Sequence, residues 1–226
     1  RRAQQAFEAL RFLSQAPIGG EVEQQPGFVA RTVVPTTEQD PNTRSSYTLD
    51  GMKQRRETQD RMWKIYYPRW PLTADGKYWY KTDTSSDELD GHYFFYALFH
   101  DLVAETDEEK DRVIEVVRAI TDHLIRNDFT LVDHDGKPTR WANFSPFSLN
   151  RDVRWFHERG LNSLSMLSYI TVAEYMTGDE KYTQAIQNLC EKHHYDINAM
   201  IAKVQRGIGS GNQSDDEMAF MSSYNL

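Results

Sequence analysis

The feature that most constrains this chain is an alternation between segments that are apolar nearly all round a helix and segments that carry a single apolar stripe. Leu89, Tyr93, Phe94, Phe95, Tyr96, Ala97, Leu98, Phe99, Leu102 and Val103 leave little polar surface, which predicts a helix buried on every side. The next segment shows only Val113, Val116, Val117, Ile120 and Leu124 at helical spacing, with charges between them, so it predicts a half-buried helix. The pattern recurs. Leu161, Leu164, Met166, Leu167, Ile170, Val172, Ala173 and Met176 form a second all-round segment, and Tyr182, Ile186, Leu189 and His193 a second stripe. Met218, Ala219, Phe220, Met221, Tyr224 and Leu226 open a third buried segment. Buried and half-buried helices joined by linkers of two or three residues are antiparallel hairpins. All the inner helices then point the same way, and their N-termini gather on one rim.

The helix starts carry acids. Ser85-Ser86-Asp87-Glu88 and Ser214-Asp215-Asp216-Glu217 both fit a capping box, in which the serine accepts from the N3 amide and the glutamate reaches back. Thr106-Asp107-Glu108-Glu109 opens the first outer helix in the same way. Further upstream, Ala6, Phe7, Leu10 and Leu13 mark an amphipathic helix over Arg2 to Gln15, stopped by Pro17 and Gly19-Gly20. Residues 17 to 60 read as a long irregular stretch with one strand-like piece at Phe28 to Val34, and such stretches are usually functional or poorly ordered. Asp75-Gly76 and Asp135-Gly136, each flanked by β-prone residues, predict short hairpins. The expected organisation is one continuous domain, with residues 1–80 holding the first helix and the irregular segment and 81–226 the helical hairpins. The last residues carry no stop signal, which predicts that the chain continues beyond Leu226.

Composition excludes several functions. A formal charge of −8 with 26 scattered Lys and Arg residues argues against nucleic-acid binding, which needs clustered basic residues. No run of 18 apolar residues is present to span a bilayer, and Arg1-Arg2-Ala3-Gln4-Gln5 is no signal peptide. The lone Cys190 precludes a disulfide framework and reads as a buried structural thiol. No cofactor or metal is expected. Asp133-His134-Asp135-Gly136 hints at calcium, yet the ligating Glu of an EF-hand loop is absent, which favours a plain turn. His193 and His194 point about 100° apart on a helix and cannot easily share a metal. His123 and His134 read as surface residues.

Two local motifs resemble a known superfamily. Thr177-Gly178-Asp179-Glu180-Lys181-Tyr182 resembles the Thr-Gly-Asp-x-x-Tyr inner-to-outer turn of six-hairpin (α/α)6 glycosidases, and Asp83-Thr84-Ser85-Ser86-Asp87-Glu88-Leu89-Asp90-Gly91-His92 resembles a motif of bacterial proteins grouped with them. The resemblance covers roughly residues 80 to 226. It implies an all-α fold, an (α/α) toroid of alternating inner and outer helices with short β-hairpins in the connections, about half of it present here and the rest beyond Leu226. It further implies a polysaccharide or oligosaccharide partner and a secreted or periplasmic location. In the unsaturated glucuronyl hydrolases of that superfamily an Asp at an inner-helix start does acid and base work, which points to Asp87 and to Asp215 or Asp216.

An acidic rim suits glycoside hydrolysis, which ordinarily needs one protonated and one ionised carboxyl group. The catalytic candidates are Asp87, Glu88 and Asp90 on one helix and Asp215 and Asp216 on another. A helix N-terminus lowers a carboxyl pKa, so a general acid on this rim needs burial or like-charge neighbours. Helix capping alone accounts for the same residues. Asp90 and His92 lie one turn inside a buried helix, either facing a cleft or satisfied as a core pair. Arg151 to Asn162 leads into the second inner helix and places His157, Glu158, Arg159 and Asn162 at the rim, although Asn162 also suits an N-cap. Trp79, Tyr80, Trp141 and Trp155 are candidates for stacking on sugar rings. Two other classes remain open: a polysaccharide lyase using Asn162, His157, Arg159 and Tyr93, and a non-catalytic glycan-binding or structural domain.

Overall fold

The computed structural model describes residues 1–15, 26–201 and 213–226. Over these the chain is mostly helical, with two small antiparallel sheets. In order it forms α1 (Arg2–Gln15), β1 (Thr32–Pro35), α2 (Leu49–Thr58), β2 (Tyr78–Lys81), α3 (Ser86–Leu102), α4 (Asp107–Arg126), β3 (Thr130–Val132), β4 (Pro138–Asn143), α5 (Pro146–Arg151), α6 (Arg159–Thr177), α7 (Glu180–His193), α8 (Tyr195–Ala199) and α9 (Gln213–Tyr224). The stop signal at Pro17 and Gly19-Gly20 and the Ser214 side chain of the second capping box lie outside the described residues. No described helix is long and apolar enough to cross a membrane.

The hairpins form for the reasons their turns suggest. Gly178 closes α6 in the left-handed region at φ 63, where a side chain would be strained. Asp179 then caps α7 by accepting from the Lys181 amide. Tyr182, three residues on, is fully buried and donates to Asp122 of α4 at 2.9 Å, tying the two outer helices together. The α3–α4 turn is longer, from Val103 to Thr106, and Thr106 accepts from the Glu109 amide.

Side-chain contacts fix the direction of the inner helices. Asp90 and Asp101 of α3 meet Tyr169 and Tyr175 of α6, in the same order along both chains. Ser165 and Ser168 of α6 meet Ser222 and Asn225 of α9, again in register. All three helices therefore run parallel, with their N-termini on one rim. Each packs against the other two, whereas in an open ring the first and third inner helices stand apart.

The burial pattern follows expectation for α4, whose five-residue stripe is buried, and for α6, which is buried nearly all round. It departs for α3 and α9. Phe94, Phe95 and Leu98 are only half-buried and Leu102 is exposed, because the described elements leave part of that flank uncovered. Among the described side chains of α9 only Met218 and Ser222 are buried, while Phe220 and Tyr224, and Leu226 just beyond the helix, are exposed, since α3 and α6 cover one face alone.

The connections hold further corrections. The stretch from 17 to 60 is not wholly irregular: it contains β1 and the ten-residue α2, which buries Met52 and leaves its other apolar side chain, Leu49, exposed. Asp135-Gly136 makes the expected β3–β4 hairpin, with Gly136 at φ 71. Asp75-Gly76 makes only a local turn with one bridge, Leu72 to Trp79, and the main partner of β2 is the distant β1. His123 is no surface residue. It is fully buried and its Nε2 accepts from the Val132 amide at 3.0 Å, which pins β3 to α4. Cys190 is half-buried against the core.

Candidate functional site

The rim begins at Asp87, which is exposed to solvent on the first turn of α3. Crowding by surrounding groups pushes its carboxyl upward, Glu88 and Asp215 add to this by repulsion, and Arg31 opposes it. The packing of α9 against α3 puts the starts of the two parallel helices side by side, which is why Asp215 repels Asp87. Asp215 is half-buried and Asp216 exposed.

Glu88 is committed elsewhere. Its carboxylate accepts from the Ser85 amide at 2.8 Å and the Ser85 hydroxyl at 2.6 Å, and it pairs with Arg31 at 2.7 Å. It closes the capping box and anchors the chain just before β1, so its expected catalytic role gives way to capping.

Asp90 lies beneath the rim, only 1% exposed. Its Oδ1 accepts from Tyr169 at 2.8 Å and from Ser222 at 2.9 Å, so one carboxyl joins α3, α6 and α9. Its Oδ2 is buried without a hydrogen-bond partner. Burial lifts its pKa to about 7, opposed by the hydrogen bonds from Tyr169, Ser222 and Ser165. As it stands Asp90 cannot touch a substrate, which corrects its expected place among the catalytic groups.

His92 is likewise no rim ligand. It is buried, shares a hydrogen bond with Tyr96 at 2.9 Å and is held neutral, with its pKa lowered to about 4 by burial. Asp90 and His92 therefore have separate partners and do not form one pair. Tyr93, the candidate lyase base, turns its hydroxyl to Thr121 of α4 at 2.7 Å, and burial pushes its pKa up.

The approach to α6 places the other candidates. His157 pairs with Glu158 at 3.1 Å, and Arg159 donates to the Leu149 carbonyl at 2.8 Å. Asn162 is not the cap of α6, whose first residue is Arg159. It is buried, donates to the Asn143 carbonyl at 3.1 Å, and keeps Oδ1 without a partner. Trp155 is buried beneath Arg140, and Trp141 lies half-buried against the same guanidinium at 3.6 Å. Trp79 sits in β2 opposite Val34, away from this group of residues in the sheet register.

A buried ionic network was not foreseen from the sequence. Asp83, at φ 59 just before α3, pairs with Arg69 and accepts from the Arg140 amide at 2.6 Å. Its own amide donates to Asp133 Oδ2, which also accepts from Lys64 at 3.1 Å and Tyr66 at 3.0 Å. Burial pushes the Asp83 carboxyl up while Arg69 pulls it down. Arg140 pairs with Asp60 at 2.8 Å. The network locks the β3–β4 hairpin and the α2–β2 connection to the start of α3. Buried charges are tolerated only when paired, so Lys64 and Arg69 amid Trp63, Tyr66 and Trp70 were the available signal.

Among the described residues, no group of three or more His, Cys, Asp or Glu side chains is placed to hold a metal ion. The chain matches no protein-family model, no curated protein and no solved structure, so the geometry alone carries the functional reading.

Proposed function

We propose that this is a carbohydrate-active, glycoside hydrolase-like domain whose helical hairpins belong to an (α/α) toroid architecture, with Asp87 and Asp215 as the working carboxyl groups. The observation that carries the reading is the meeting of these two acids at the starts of parallel neighbouring helices. Asp87 is exposed and its carboxyl is raised, which suits a general acid, and Asp215 or Asp216 across the rim serves as the second carboxyl group. Asp90 supports the rim from below as a positioning residue. The antiparallel α3–α4 and α6–α7 hairpins are the repeating unit of such an architecture, here drawn in so that α3, α6 and α9 touch one another. Because α9 touches α3 as well as α6, the inner helices enclose Asp90 and not an open channel, and the substrate binds above them.

The test is release of reducing ends from a panel of oligosaccharides by the full chain. Asp87→Asn is expected to lower turnover by about a thousandfold with unfolding unchanged, on the scale of acid–base catalysis. Turnover equal to wild type in both Asp87→Asn and Asp215→Asn would sink the proposal. A product with the ultraviolet absorbance of an unsaturated uronide would assign it to the lyases instead.

A further inference from the structure

The α2–β2 connection, the β3–β4 hairpin and the α5 region line a solvent-open cavity of about 460 Å³, within the size range of small-molecule sites. Arg56, Lys64, Lys137, Arg140 and Arg154 line it against two acids, Asp135 and Asp152, in a chain of formal charge −8. Three of the cations have acidic partners: Lys64 has Asp133 and Asp135, Arg140 has Asp60, and Arg154 has Asp152. These partners fix the cations in place. Arg140 spends Nε and Nη2 on Asp60, which leaves Nη1 to offer. Arg56 and Lys137 have no acidic partner among the described residues; Arg56 donates only through Nε, to the Trp63 carbonyl. A concentration of cations held apart from the acidic rim attracts an anion into a concave site more strongly than the same charges on a flat surface. Phe147, 64% exposed, supplies an open ring face in the wall, while Trp155 lies buried behind Arg140.

We propose that this cavity binds a small ring-bearing ligand with an anionic substituent. Arg56 and Lys137 take the anion, Arg140 donates to it from the wall, and Phe147 packs against the ring. None of Asp87, Asp90 and Asp215 lines the cavity, so the proposal stands whether or not the rim hydrolyses glycosides.

Calorimetric titration of the full chain at low salt tests it, with glucuronate and benzoate as ring-bearing acids, glucose as a neutral ring and inorganic phosphate as a bare anion. At least one ring-bearing acid is expected to bind ten times more tightly than glucose and than phosphate, and which acid binds distinguishes a sugar from an aromatic ligand. The double variant Arg56→Gln, Lys137→Gln is expected to weaken that binding at least tenfold with unchanged thermal unfolding, whereas Asp87→Asn leaves it unaltered. Absence of binding by either acid, glucose or phosphate binding as tightly, or an unaffected double variant would overturn the proposal.

Discussion

Replacing Asp90 by Asn tests the buried junction of α3, α6 and α9. The amide keeps an oxygen for Tyr169 and Ser222 and cannot ionise. In the wild type the folded-state pKa is raised from 3.8 to about 7, so the native state holds a proton that the unfolded chain has already released. Stability from this proton is fully present below pH 4 and is lost as pH rises to about 7. At about 1.4 kcal/mol for each pKa unit, the loss approaches 4 kcal/mol. Two buried histidines act oppositely in nearly the same interval. His92 and His123 are lowered to about 4, so each removes stability as pH falls from about 6.5 towards 4. Their contributions cancel in the difference between variant and wild type. Any fixed cost of burying the Asn amide shifts that difference equally at every pH, so the slope is the diagnostic quantity. Urea unfolding between pH 4 and pH 8 should show Asp90→Asn gaining about 4 kcal/mol on the wild type as pH rises. A difference that stays flat across that range would refute a buried carboxyl with a raised pKa.

Two further substitutions probe what holds the rim in place. Gly27 lies at φ 92, and a Cβ there would sit 1.9 Å from the Ala119 carbonyl oxygen of α4; backbone strain and overlap together should make Gly27→Ala cost about 3 kcal/mol or more by urea unfolding. Asp83→Ala leaves Arg69 buried and uncompensated, so it should cost about 3–5 kcal/mol, while replacing both partners by apolar residues of similar size should cost much less; equal costs would show that the pair is not the reason.

Helix legibility followed how much of each helix the fold covers. The stripe of α4 and the turn at Gly178 and Asp179 were readable because one face or one φ value decides them locally. The helix α2 was not, since only Met52 is buried and the rest carries no apolar period. The exposed faces of α3 and α9 were misread as core because an apolar residue reports its preference and not whether a neighbour is present. At the site, the address of Asp87 and Asp215 was legible from their capping positions. The commitment of Glu88 to Arg31, the sinking of Asp90 below the rim and the pairing of Arg69 with Asp83 were not, because each depends on partners 14 to 132 residues distant along the chain.

Asp87 and Asp215 stand at the starts of the parallel, contacting helices α3 and α9, and the repulsion between them is what the proposed site requires. Carbon-13 NMR titration of the Asp87 carboxyl in the wild type and in Asp215→Asn measures this directly. The geometry predicts an Asp87 pKa above the ordinary aspartate value that falls when Asp215 is neutralised. An Asp87 that titrates at or below the ordinary value, unchanged in the variant, would contradict it.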